Sequence, residues 1–146
     1  MMRESWLPAK PESATRARAI VRRASVERGL DGDAAWSLML ATTEAFSNAI
    51  VHGTACSEGD RGILLRVFPW EDGLCVEVCD CGQFETPPPP PGPDEPHGRG
   101  LPLIAAVVDH FELVPGGPFT RVRFAKRRRA LVGAGANRPG RRSLGR

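Results

Sequence analysis

The period of apolar and polar positions changes several times along the chain, and each change marks an element. Residues 4–7 read as a short edge strand that Pro8 and Pro11 cut off. From Glu12 to Gly29, Ala17, Ile20, Val21, Ala24 and Val26 fall among Arg16, Arg18, Arg22, Arg23 and Arg28, which predicts an amphipathic helix with one basic face, ended by Gly29. Asp31 or Asp33 can cap a second helix that runs to about His52, with Gly53 at its end. Trp36, Leu38, Met39, Leu40, Ala41, Ala45, Phe46, Ala49, Ile50 and Val51 leave that helix apolar almost all round. It should be the central helix, packed on several sides.

Two strand-like runs follow, Ile63 to Phe68 and Leu74 to Asp80, and the residues 69–73 between them predict a hairpin. Residues 86–98 hold seven of the chain's 14 prolines, so they form a loop, in part polyproline II. An apolar helix from Leu101 to Val108 precedes two short strands, Phe111 to Val114 and Thr120 to Ala125, joined by Pro115, Gly116, Gly117 and Pro118. Helices and antiparallel strands in blocks indicate an α+β fold, a two-layer α/β sandwich.

Length and charge refine this picture. A chain of 146 residues suits one domain. It lacks the ~20 uninterrupted apolar residues of a membrane span, and Arg3, Glu4 and Pro8 stand where a signal core would be apolar. A soluble, cytoplasmic protein with no membrane partner is expected. The net charge of +3 divides unevenly: residues 1–125 carry 12 basic and 17 acidic side chains, whereas residues 126–146 carry eight basic and none acidic. An acidic domain over 1–125 with a basic tail over 126–146 follows, and Asn137 to Arg146 is too poor in apolar residues to order. The tail has no interleaved aromatics, and with an acidic body this makes nucleic acid an unlikely partner.

Cys56, Cys75, Cys79 and Cys81 lack paired C-x2-C spacing, and a zinc cage would need a distant fourth ligand such as His97. Cys75, Cys79 and Cys81 share one strand face, so reduced structural thiols are the expectation.

Three groups of residues carry chemistry. Glu44, Asn48 and His52, at i, i+4 and i+8, form one polar stripe on the apolar helix, which suits either a divalent metal with a polarised hydroxyl or a solvent-facing seam. At the end of a strand, Asp80 in Asp80-Cys81-Gly82 can accept a hydrogen bond from a ligand amine while Gly82 admits a flat ring; the same triplet also makes an ordinary turn. Gly98-Arg99-Gly100 before the third helix can cradle phosphate or serve as a hinge.

In this order, the groups resemble the histidine-kinase-like ATPase superfamily (Bergerat or GHKL fold), in particular its small bacterial anti-sigma factor serine/threonine protein kinases. Residues 43–53 resemble the N box, Asp80-Cys81-Gly82 the first glycine box, and residues 97–104 with Asp109 the second. The resemblance covers about residues 5–125 and implies a mixed, mostly antiparallel sheet. It also implies ATP and Mg²⁺ as cofactors, with Asn48 as the metal ligand and Glu44 as the catalytic base. Asp80 and Gly82 would take the adenine, Gly98, Arg99, Gly100 and Leu101 the phosphates, and Thr120 would support the adenine side. Residues 83–97 correspond to the ATP lid. The implied function is an ATP-binding anti-sigma factor that phosphorylates a STAS-type anti-sigma factor antagonist and sequesters a sigma factor; the family also implies homodimers.

His52 reads as a helix-end packing residue and His97 as a lid hinge, and a phosphoacceptor histidine is not expected, because the chain has no room for the helical hairpin that presents one. Phe84 stands where relatives often have glycine, Pro102 likewise, and Pro87 to Pro91 stiffen the lid. The alternative is therefore a non-catalytic ATP-binding regulatory module of the same fold.

Overall fold

The computed structural model describes residues 1–52, 62–80, 100–114 and 120–129. In chain order the elements are β1 (Arg3–Leu7), α1 (Glu12–Glu27), α2 (Gly32–His52), β2 (Ile63–Trp70), β3 (Gly73–Asp80), α3 (Gly100–Val107), β4 (His110–Val114) and β5 (Thr120–Lys126). The five strands form one sheet in the order β1-β2-β3-β5-β4, and every neighbouring pair runs antiparallel. The helices lie against one face, which makes the α+β two-layer sandwich that the blocks of elements imply.

Strand alternation decides which residues face the helices. Leu7, Ile63, Leu65, Val67, Leu74, Val76, Val78, Val122 and Phe124 belong to the core. α1 meets them with Ala14, Ala17, Val21 and Ala24, small residues at helical spacing that let the helix approach closely, and its arginines stay on the outer side. α2 packs against α1, α3, β3 and β5, although Trp36 and Val51 of its apolar set stay exposed. Of its two candidate caps, Asp31 is the one used: its Oδ1 accepts the Ala34 N–H at 2.8 Å.

Two boundaries differ from the sequence reading. β2 runs on through Pro69 and Trp70, so the hairpin loop is only Glu71 and Asp72. Pro69 lies beyond Val67, the last residue paired with β1, and a strand with one neighbour tolerates a proline. Glu71 takes φ 50°, the left-handed conformation that the first central residue of such a tight turn needs. At the other end β5 includes Lys126, one residue past the expected strand end at Ala125, and the described chain continues to Arg129. Residues 130–146 of the basic tail lie outside the described residues, as do Cys56, Cys81, His97 and the 83–97 lid. Among the described residues no helix is long and apolar enough to cross a membrane.

The sheet face turned away from the helices carries a feature that sequence reading missed. Glu4, Arg66, Glu77, Arg123 and Glu112 are successive register partners across all five strands. Arg66 bonds Glu4 at 2.7 Å and Glu77 at 3.0 Å; Arg123 bonds Glu77 at 2.7 Å and lies 3.5 Å from Glu112. Glu77 is 1% exposed. Burial by itself would raise its carboxyl, but hydrogen bonds from Arg123 and Arg66 outweigh it and hold the group below its ordinary 4.5.

Cys75 and Cys79 flank Glu77 on this face, free and buried. Burial first, reinforced by the Glu77 charge, pushes both thiols up to about 12, and the Cys79 thiol donates to Glu77 Oε1 at 3.5 Å. Because the thiolate is the nucleophile, both should resist iodoacetamide at pH 8 in the native protein and react once it is denatured. Mass spectrometry of the alkylated peptides checks this, and native labelling of either cysteine would contradict the buried, protonated state.

Candidate functional site

Burial fixes the rotation of α2. Leu38, Ala41, Thr42, Ala45, Phe46 and Ala49 are buried, and Phe46 is wholly enclosed, a contribution of roughly 1.5–3 kcal/mol relative to exposure. With that side inward, helical spacing places Glu44 and Asn48 one turn apart on a half-buried flank, next to the exposed Ser47 and Val51. Neither side chain is fully in solvent or fully buried.

α1 holds the same stretch of α2 from its other flank. Arg18 Nη1 donates to Thr43 Oγ1 at 3.0 Å and Nη2 to Thr15 Oγ1 at 3.2 Å, while Thr43 Oγ1 donates to the Met39 carbonyl at 3.1 Å. The tie is made one residue before Glu44. Neither Arg18 nor Thr43 stood out in the sequence, since nothing local marks an arginine on one helix as the partner of a threonine on the next.

The sheet supplies the second part. Asp80 ends β3, is 8% exposed, and is the register partner of Thr120, the first residue of β5. Even-numbered residues of β3 face the helices, so Asp80 shares the face of Val76 and Val78. The strand-end carboxylate and the start of the last strand, 40 positions apart in the chain, thus lie side by side.

Contacts at the opposite end set the direction of each element. Arg28, just before α2, donates to the Gly73 carbonyl at 2.8 Å, and Asp31 meets Arg129 at 3.3 Å, beyond the end of β5. α2 therefore starts beside Gly73 and Lys126, and its 21 residues, about 30 Å of helix, carry its C-terminal half toward Asp80 and Thr120. α3 runs the opposite way, because Asp109, just after it, donates its N–H to Ala125 at 2.9 Å. Its first residue, Gly100, accordingly lies toward the Asp80 end.

Glu44, Asn48, Asp80, Thr120 and Gly100 thus belong to one end of the sandwich. Leu101 packs against the core and Ile104 is fully buried, so they anchor α3. Gly82, Gly98 and Arg99 lie outside the described residues. Asp109 is at the far end, where its Oδ2 accepts the Arg127 N–H at 2.7 Å; it is separated from the site by the length of α3.

Residues 7–126 match the family of the histidine kinase-like ATPase domain. The chain belongs to that family. Membership makes ATP the ligand of the domain. Among solved structures, the RsbU and RsbW domains of Rv1364c from Mycobacterium tuberculosis share the fold, with TM-score 0.67 and 23% identity over 87% of this chain and 32% of that one. The histidine kinase domain of the Erythrobacter litoralis EL346 blue-light activated histidine kinase aligns with TM-score 0.49 and 17% identity, over 82% of this chain and 61% of that one. The chain thus spans less than two thirds of either. No curated protein matches it significantly in sequence. Within this histidine kinase-like ATPase domain, the end that holds Glu44, Asn48 and Asp80 is the candidate nucleotide site.

Proposed function

We propose that the protein is an ATP-dependent serine/threonine protein kinase of the anti-sigma factor type, which phosphorylates a STAS-type anti-sigma factor antagonist and, in its other partnership, sequesters a sigma factor. The observation that carries this reading is the placement of Glu44 and Asn48 on the flank of α2 that runs toward the Asp80 and Thr120 strand ends. Asp80 accepts a hydrogen bond from the adenine amine, Gly82 leaves room for the ring, and Thr120 supports that side. Gly98, Arg99, Gly100 and Leu101 bring phosphate to the N-terminus of α3, where unpaired amides favour an anion.

Asn48 offers a hard amide oxygen and would hold Mg²⁺. Bound there, the ion would supply neutralisation of the charge on the transferred phosphoryl group. Glu44 accepts the proton of the acceptor hydroxyl as its oxygen bonds to the γ-phosphorus and the bond to ADP breaks. The product gains about two negative charges at its surface, enough to redirect partner choice.

The alternative, a nucleotide-binding module without transfer, is favoured by one sequence feature, the five prolines from Pro87 to Pro91 in the lid. DNA binding through the basic segment has less support, because Lys126, Arg127 and Arg129 already pair with Asp109, Glu71 and Asp31.

A Mg-ATP titration of wild type and Asp80→Ala tests the site. The expected result is saturable binding by wild type and a loss of at least about 100-fold in the variant, since a charged hydrogen bond and the adenine orientation go together. Equal affinity in a folded variant would move the adenine elsewhere. Labelled ATP incubated with a STAS-type acceptor then separates the kinase from the binding module.

A further inference from the structure

At the end of the sandwich opposite the nucleotide site, the first basic residues of the tail follow a built path. Lys126 Nζ lies 3.7 Å from Asp109 Oδ1, and the Arg127 N–H donates to Asp109 Oδ2 at 2.7 Å. Arg127 Nε bonds Glu71 at 3.0 Å, and its guanidinium sits 5.1 Å over the Trp70 ring, which in turn stacks on His110 at 5.7 Å. The Arg128 N–H reaches Asp72 Oδ1 at 3.4 Å, and Arg129 pairs with Asp31, the cap of α2.

Two glycines keep this path open. A Cβ at Gly73 would collide with the Lys126 carbonyl, and one at Gly29 would press on the Arg128 side chain at 3.3 Å. The acids come from three separate places: the β2–β3 turn (Glu71, Asp72), the α1–α2 junction (Asp31) and the α3–β4 junction (Asp109).

We propose that Lys126 to Arg129 form an electrostatic strap that ties these three connections together and releases as ionic strength rises. The strap holds Arg129 beside the N-terminus of α2, away from Glu44 and Asn48. Its ion pairs are largely solvent-exposed, so screening weakens them, whereas β5 itself is held by ladder bonds and core packing.

Amide exchange of the full chain, resolved by NMR, tests the strap. At about 20 mM salt the Arg127 N–H should exchange at least about tenfold more slowly than an open chain; about 0.5 M NaCl should abolish that protection while the Phe124 N–H changes less than about twofold. A charge swap, Glu71→Arg with Arg127→Glu, should restore protection that either single change removes. An unprotected Arg127 N–H at low salt, or protection that salt leaves unchanged, would overturn the proposal. The Phe124 amide reports separately whether a variant has unfolded.

Discussion

If the proposed kinase activity holds, Glu44→Ala should abolish phosphate transfer to the protein acceptor and leave the affinity for Mg-ATP within about threefold of wild type. The expected loss in rate is about 10²–10⁴-fold, the range for a positioned general base, without a matching loss of binding, because in the proposed mechanism Glu44 would meet the acceptor hydroxyl, not the adenine. Glu44→Gln should lose as much, since the amide keeps the size of the side chain but cannot take the proton. α2 should tolerate either change: Glu44 is half-buried, and the core-facing Ala45 and Phe46 stay in place. Single-turnover transfer of labelled phosphate, beside a nucleotide titration, measures both quantities. Transfer within about tenfold of wild type would exclude Glu44 as the base.

Glu77→Ala should cost about 3 kcal/mol of stability, toward the low end of what is lost when one partner of a buried ion pair is removed. The value is tempered because Arg66 and Arg123 keep Glu4 and Glu112 and are 33% exposed. Against a total of roughly 5–15 kcal/mol for a domain, this is a large share. Urea unfolding measures it, and a loss below about 1 kcal/mol would show that the row is only a surface ornament of the sheet. Replacing Arg66, Glu77 and Arg123 together by Met, Leu and Met should recover much of the loss, because no charge is then stranded.

The same residue sets a pH dependence. The folded carboxyl of Glu77 lies below 4.5, so the unfolded chain binds the proton more readily. Its contribution is fully present above pH 4.5 and is lost as the pH falls through the lower, folded value. Glu77→Gln should therefore flatten the acid side of the stability curve below pH 4.5, and unchanged curvature there would assign acid unfolding to other carboxylates.

Much of the candidate site could be read from neighbouring residues. Asn48 four residues after Glu44 on an apolar helix, and Asp80 where a strand meets glycine, are local patterns, and helical or strand geometry converts each into a position. The register of Asp80 with Thr120 could not be read this way, because the two residues are 40 apart and their pairing depends on which strand β5 joins. Arg18 and Thr43 escaped for the same reason.

The sequence by itself determined the elements, the central helix and the order of the chemical groups, because hydrophobic period, caps and glycines act over a few residues. Tertiary structure alone decided which end of each element meets which. It placed Glu77 between two arginines from other strands, joined Asp80 to Thr120, and engaged Lys126 to Arg129 with acids from three distant turns. Charge pairs and strand register join residues far apart in the chain, and their partners are settled only when the layers pack.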